Sequence, residues 1–358
     1  VELLEPAFRA HPSRLGLRQS LAGAYVALGE TDRAEVALRD LLDRRPRDAY
    51  ARSRLVSLLI GRGNHDEALA VLDEGVRIDP TQPSFHVRRA ELLWEAGRRD
   101  EALEGLRGAL ARSPRAGPLR KAAIDRLHET GQHEAALELA EGGVEAAPRE
   151  AWAHFLLAQA RRMAPGGHES AAVEAAYRRA LELDRRLFAA ADDLAVWLAN
   201  TGAIDRARQV LEEALPHLDA TAPARGRLAW LIHEEGSATR AIEAMEAVLA
   251  EAPGYDWGWH AVLDWMEETH DWPRVVRLLE ELPPGMESDL RFRVRRLKLL
   301  QEAGVSPSSL DREWEGLMEA NPTSVPLVIN RFNDLRDRQE PAAAERLLQR
   351  YLPRASAA

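Results

Sequence analysis

The chain has no cysteine, which excludes disulfide bonds and thiolate metal sites. Lysine is nearly absent too, because only Lys121 and Lys298 occur among 48 basic residues. Carboxylates outnumber the basic residues by 58 to 48, which gives a net charge of −10 over 358 residues. A path for nucleic-acid phosphates requires clustered positive charge, so we expect no nucleic acid as a partner.

Long apolar runs are missing as well. No segment approaches the roughly 18 consecutive apolar residues of a membrane-spanning helix, so we expect no membrane as a partner. The lack of cysteine is compatible with a reducing compartment, and we expect a cytoplasmic location. The abundance of alanine, arginine and leucine is typical of a bacterial genome rich in G and C.

Small and helix-ending residues recur at one constant spacing along the chain. Three series share this spacing and one phase: Gly29, Gly63, Gly97 and Gly131; Pro46, Pro80, Pro114 and Pro148; Ala34, Ala68, Ala102 and Ala136. Proline cannot continue a helix and glycine commonly ends one, so the pattern predicts pairs of helices joined by short turns. A period of about 34 residues indicates a stack of helix–turn–helix repeats.

The phase of the repeat divides the chain into three parts. Residues 1–14 are predicted to be the second half of a truncated repeat, which leads us to expect further sequence upstream of Val1. Residues 15–255 are predicted to form seven regular repeats, with a three-residue insertion near 165–170. Residues 256–358 are predicted to form three divergent repeats, including a C-terminal cap.

The run Leu21-Ala22-x-x-Tyr25-x-x-x-Gly29-x-x-x-x-Ala34 resembles the tetratricopeptide repeat, and the resemblance covers nearly the whole chain. It implies an all-α fold, a right-handed α-solenoid of about ten helix–turn–helix repeats. It also implies that the first helix of each repeat lines a concave wall, which commonly holds an extended peptide or a partner's helix. Trp259 falls where this family usually keeps a structural tryptophan, so it is expected to pack internally.

One stripe of each first helix is predicted to face that concave groove. The candidate partner-binding residues on this stripe are Trp94, Lys121, His128, Trp152, Phe155, Arg162, Trp230, His233, Trp257 and His260. Carboxylates such as Glu91 and Asp125 lie on the same stripe, so the groove is predicted to be aromatic and acidic. Such a groove fits a basic protein or peptide segment with apolar anchors.

Less specific interpretations of the same residues stay open. A small error in register would bury the tryptophans of the stripe, and carboxylates on a helix are usually solvated surface. Trp197 and Trp265 fall off the stripe and are predicted to belong to the core. The insertion near 165–170 is predicted to be a surface loop, although it lies where a partner could also contact the stack.

No pattern indicates catalysis, a metal or a cofactor. His128 and His133 are five residues apart with Gly131 between them, whereas a zinc-protease helix spaces its histidines by four. No phosphate-binding loop and no activated serine context is present, so the chain is predicted not to be an enzyme and to hold no cofactor.

Three functions follow from these observations. The leading one is a protein–protein interaction scaffold that binds a protein or peptide segment in the groove. The alternative is a substrate-recognition or regulatory module of an enzyme whose catalytic domain or subunit lies outside this chain, and the truncated repeat at Val1 favours it. Self-association through the end helices is the third.

Overall fold

The computed structural model describes residues 4–10, 14–166, 171–282 and 289–355. Within these ranges it contains 21 α-helices and no strand, which confirms the all-α prediction. The chain forms two compact units, residues 1–190 and 191–358, and the boundary falls within α12 (Phe188–Asn200). Antiparallel helix pairs that follow the predicted period build each unit, so the fold is an α-solenoid.

The first unit contains five such pairs preceded by one short helix. Its helices are α1 Leu4–Ala10, α2 Leu15–Ala27, α3 Thr31–Arg44, α4 Ala49–Gly61, α5 His65–Ile78, α6 Pro83–Glu95, α7 Arg99–Arg112, α8 Gly117–Glu129, α9 His133–Ala146, α10 Ala151–Met163 and α11 Ala171–Leu183. The even-numbered helices from α2 to α10 are the first helices of their repeats, and each packs on the next helix along the chain.

The second unit continues with helix pairs of less regular length. Its further helices are α13 Ile204–Ala214, α14 Ala222–Glu234, α15 Ala238–Glu251, α16 Asp256–Thr269, α17 Trp272–Glu280, α18 Leu290–Glu302, α19 Pro307–Ala320, α20 Val325–Asp337 and α21 Pro341–Ala355. The short helices are α13, with 11 residues, and α17, with 9. The predicted division at 256, where the divergent repeats begin, coincides with the start of α16. We keep the three-part organisation as a proposal.

Backbone geometry explains the glycine series. Gly29, Gly63, Gly97 and Gly131 all have φ between 71° and 77°, in the left-handed region that side chains with a Cβ rarely adopt. Each glycine therefore ends a first helix and reverses the chain into the second. In the divergent repeat, His270 takes the same role with a φ of 53°.

The alanine series explains how closely the two helices approach. Ala34, Ala68, Ala102 and Ala136 are all buried, each at the start of a second helix. Because a methyl group lets two helices approach closely at such a crossing, these positions hold the pairs at constant spacing. Val275 is buried at the equivalent position of the divergent repeat.

Two predicted irregularities fall partly outside the described residues. The turn between α10 and α11 contains Gly166, with a φ of 77°, while residues 167–170 of the insertion are not among those described. The helix α17 is a short second helix, with 9 residues compared with 14 in α15. The sequence Pro283-Pro284-Gly285 predicts the early end of this helix, and these residues lie outside the described ranges.

A series of buried hydrogen-bond donors was missed by the sequence analysis. At five junctions between repeats, a side chain of the next first helix, six residues after a proline, donates back to that proline's carbonyl, and four of the five donors are buried. Arg52 Nη2 donates to Pro46 O at 2.9 Å and Arg120 Nη2 to Pro114 O at 2.8 Å. Equivalent bonds join His86 to Pro80, His154 to Pro148 and Trp259 to Pro253, at 2.8–3.0 Å.

Glycine residues on the second helix of the same repeat leave space for the arginine side chains. A Cβ on Gly75 would lie 2.5 Å from Arg52 Cδ, and one on Gly143 would lie 2.6 Å from Arg120 Cδ. Where the donor is the smaller His86, the position equivalent to Gly75 is Ala109, which is buried. From Arg52 to Arg120 the donors thus alternate arginine facing glycine with histidine facing alanine, and each bond joins two successive repeats.

Candidate functional site

The first helices α4, α6 and α8 line a shallow groove, which we call the first-helix groove. Its walls are formed by Ser53, Ser57, Val87, Arg88, Glu91, Pro118, Lys121, Ala122, Asp125 and Arg126. Two adjoining depressions make up the groove, and they share Val87, Glu91 and Pro118. Because the repeats keep one phase, equivalent side chains of three successive helices open onto the same surface.

The floor of this groove is apolar and its rim is charged. Leu72, Leu106 and Ala90 are buried beneath it. On the rim, Arg88 donates to Glu91 and Lys121 donates to Asp125, both at 2.7 Å. The carboxylates predicted here are therefore already neutralised by cations of the same helix, at exposed positions where such pairs contribute little to stability.

Trp94 lies half-buried beside the groove on α6. The guanidinium carbon of Arg126 is 5.1 Å from its ring centroid, and that of Arg99 is 5.5 Å away on the other helix of the repeat. Cations at this distance are attracted to the ring face. The sequence predicts carboxylates around this ring, and the structure adds two arginines that contact it.

Trp152 and Phe155 continue the groove positions one repeat later. They are the counterparts of Pro118 and Lys121 in the next repeat, and both are half-buried. Gly117 leaves space for the Trp152 ring, since a Cβ there would lie 3.0 Å from it. The Phe155 ring lies 6.2 Å from the buried ring of Tyr177, so part of its area is used in packing.

His128 lies close enough to Arg162 for the charge of the guanidinium to act on the imidazole. The Nδ1 atoms of His128 and His133 are 3.0 Å apart, and His128 is half-buried. Burial, and then the nearby charge of His133, lower the pKa of His128, and Arg162 adds to this effect. Among the described residues, no group of three or more side chains suited to a metal ion comes together.

In the second unit, Arg227 lies between two candidate tryptophans. Its guanidinium carbon is 5.1 Å from the Trp230 ring and 5.2 Å from the Trp257 ring. Asp192 holds the guanidinium in place by accepting from Nε at 2.6 Å and from Nη2 at 3.1 Å. Trp257 is exposed, and its other neighbour is Tyr255, whose ring centroid is 5.9 Å away.

Tyr255 contributes a third aromatic ring to this cluster, since its ring contacts that of Trp257. Burial raises its pKa to about 12, although the charge of Arg227 opposes that shift. A Cβ on Gly226 would lie 2.6 Å from the tyrosine ring, so glycine is required for the close approach. The cluster is therefore a preformed assembly of aromatic rings around one cation.

His233 and His260 are the two remaining candidates, and both are half-buried. His233 stacks on the buried Trp265 with ring centroids 5.0 Å apart, and its Nε2 lies 2.8 Å from Glu268 Oε2. His260 meets Phe292 edge-on at 5.4 Å. Both imidazoles are thus engaged with other side chains of the second unit.

Comparison with known families decides the class of the protein. Two family models, each described as tetratricopeptide repeat, match residues 20–83 and 59–127. Residues 20–127 of the chain therefore consist of tetratricopeptide repeats. The second match ends at residue 127, and the paired helices continue beyond it with the same alternation of first and second helices. No curated protein sequence matches this tetratricopeptide-repeat protein.

Solved structures similar to this tetratricopeptide-repeat protein share little sequence with it. A tetratricopeptide repeat protein from Parabacteroides merdae is 15% identical over 71% of this chain and 98% of its own, with a TM-score of 0.47. A thermophilic repeat protein of Thermus thermophilus is 21% identical over 52% and 99%, with a TM-score of 0.41. Yeast Tom70 is 13% identical over 97% and 86%, with a TM-score of 0.45.

Membership of this family has consequences for function. Tetratricopeptide repeats serve as scaffolds for protein–protein interaction, and the fold family is typically non-catalytic. In the described ranges, every helix of this tetratricopeptide-repeat protein is too short or too polar to cross a membrane.

Three tryptophans set aside in the sequence analysis are buried in this tetratricopeptide-repeat protein, as predicted. Trp197, Trp259 and Trp265 each expose less than a tenth of their surface. Trp259 also takes part in the series of buried donors, through its bond to Pro253 O. The candidate tryptophans differ, because Trp94, Trp152 and Trp230 are half-buried and Trp257 is exposed.

Proposed function

We propose that this protein is an interaction scaffold whose first-helix groove binds an extended protein or peptide segment. The observation that carries the proposal is the continuous depression across α4, α6 and α8, with an apolar floor and paired charges on its rim. A bound segment would bury apolar side chains on that floor without leaving a charge of the groove unpaired.

Two aromatic residues border the groove surface. Trp94 lies beside Arg126 of the rim, and Trp152 packs over Gly117 next to Pro118. Half-buried tryptophans held by neighbouring groups lose little side-chain freedom on binding, and such residues commonly dominate the energy of an interface. We infer that the two rings supply most of the affinity.

The net negative charge of the protein favours a basic segment, because it increases the association rate. The net charge is −10, which attracts positively charged segments over a distance of several ångströms. On the groove itself the carboxylates of Glu91 and Asp125 are paired, so electrostatics should set the association rate more than the final affinity.

The Arg227 cluster is a second surface of the same kind in the other unit. Trp230, Trp257 and Tyr255 form an aromatic patch of which Trp257 is exposed, and Asp192 holds the central cation. We propose it as a separate contact for an apolar side chain of the same class of partner.

Peptides selected from a displayed random library against the whole chain provide a probe for the groove. Replacing Trp94 or Trp152 by alanine should weaken the selected peptides at least about tenfold, because truncating a central aromatic anchor has effects of this size. Fluorescence anisotropy of the labelled peptide measures the affinity, and circular dichroism verifies that the variants stay folded.

The Leu28→Ala variant is the matched control, since Leu28 is an exposed apolar residue of the first unit outside the groove. It should bind the peptides as the unmodified protein does. Equal affinities of the two tryptophan variants and the control would refute the groove, as would the failure of the library to yield any enriched sequence.

A further inference from the structure

The helix α18 carries an unusual concentration of positive charge for this acidic protein. Five of its 13 residues are arginine or lysine and only Glu302 is acidic. Two of the cations are neutralised by other helices, because Arg295 pairs with Asp264 and Glu267, and Arg296 pairs with Glu313. The remaining three are Arg291, Arg293 and Lys298, all of them exposed.

Arg291 and Lys298 border a pocket between α18 and α20, which we call the cationic pocket. Its apolar floor is formed by Val294, Leu327 and Pro326, and Asn330 completes the rim. Exposed Val325 and Ile329 lie on the same helix as Leu327. The positive charge of this rim contrasts with the net charge of −10 that the whole protein carries.

The ammonium group of Lys298 is positioned by a neutral hydrogen-bond acceptor. Its Nζ donates to Asn330 Oδ1 at 2.8 Å, and Asn330 Nδ2 in turn donates to Pro326 O at 2.8 Å. Because an ammonium has three donors and this acceptor is neutral, donors remain and the charge is not balanced by an ion pair among the described residues. Within the same part of the chain, Arg291 pairs only with its neighbour Asp289, 3.8 Å away and committed to capping the helix.

We propose that the cationic pocket binds an extended acidic protein segment, distinct from the ligand of the first-helix groove. Arg291 and Lys298 are seven residues apart, a rise of about 10 Å along an α-helix. Alternate side chains of an extended chain share one face, and positions four apart lie about 13 Å from each other, a distance that long arginine and lysine side chains can adjust to. The segment therefore carries two acidic side chains four residues apart, with an apolar side chain midway between them that enters the pocket over Val294 and Leu327.

A nucleic acid satisfies these features less well. Phosphates would pair with the cations, but they offer nothing to the apolar floor, and a protein with a net charge of −10 repels a long polyanion. A short segment with two carboxylates avoids most of that repulsion. The proposal is independent of the groove in the first unit, because the two surfaces share no residue.

The test uses the full chain and a fluorescein-labelled peptide with two glutamates four positions apart and a leucine midway between them. Both peptide ends are blocked, so that only side-chain carboxylates are available. The same peptide with glutamines should bind at least about tenfold more weakly, and Lys298→Glu should weaken the glutamate peptide by a similar factor. Fluorescence anisotropy at physiological salt measures both.

Arg293→Glu is the matched control, because Arg293 is an exposed cation of the same helix that does not line the pocket. It should change the affinity less than about threefold. Equal losses in the two variants would mean diffuse attraction and would overturn the proposal, as would equal binding of the glutamate and glutamine peptides. Tighter binding of a single-stranded RNA, lost in Lys298→Glu, would also overturn it.

Discussion

Arg52→Ala should lower the free energy of unfolding by about 3 kcal/mol, among the largest effects available to a single side chain of the first unit. Arg52 is 1% exposed and donates to Val71 O and Pro46 O at 2.6 and 2.9 Å. The substitution removes both bonds, leaves the Pro46 carbonyl without this donor and opens a cavity beside Phe85.

Urea unfolding followed by circular dichroism measures this loss, and amide hydrogen exchange in α4 and α5 locates it, because a repeat array can unfold in steps. Arg107→Ala is the control, since Arg107 is an exposed arginine of the same unit. It should cost less than about 0.5 kcal/mol. If the two substitutions cost the same, the buried donor does not stabilise the junction between repeats.

A double substitution tests the same prediction more specifically. Replacing Arg52 by histidine and Gly75 by alanine together reproduces the pair found one repeat later, His86 and Ala109. The double variant should be more stable than Arg52→Ala, because the histidine retains the bond to the proline carbonyl and the alanine fills the space of the lost guanidinium.

Trp259→Ala should cost about 4 kcal/mol, whereas Trp257→Ala should cost less than about 1 kcal/mol. The two residues are separated by one position on α16. Trp259 is 4% exposed and donates to Pro253 O, while Trp257 is 38% exposed and its ring meets Arg227 and Tyr255. Truncation of the first leaves a large cavity, and truncation of the second mainly removes surface contacts.

Thermal or urea unfolding of the two variants measures the difference directly, each serving as the control for the other. A large loss of stability in Trp257→Ala would show that this ring packs structurally, which would remove it from the candidate binding residues. A small loss in Trp259→Ala would contradict its place in the series of buried donors.

Features governed by the repeat period could be predicted from the sequence. Gly63 and Ala68 each serve one local requirement, a left-handed φ and a close helix crossing, and these requirements recur once in every repeat. The same phase predicted Trp197 and Trp265 for the core, because the side of a helix that a residue occupies follows from its spacing.

Features that depend on pairs of side chains could not be predicted in this way. Phase assigned Trp94 to the groove but could not show that Arg126 covers its ring, since a long arginine reaches several neighbours. The buried donors left a signal that was overlooked: Arg52, His86 and Arg120 keep the spacing of the repeat. Polar residues are expected at the surface, so a periodic arginine was not considered for the core.

Site-directed photo-crosslinking tests the proposed groove most directly. Val87 lines the first-helix groove on α6, whereas Val36 is an exposed valine on the second helix α3 of the same unit. Each is replaced in turn by p-benzoylphenylalanine, and the protein is irradiated with a library-selected peptide. We expect a covalent adduct from position 87 and none from position 36. An adduct from position 36, with none from position 87, would contradict binding in the groove.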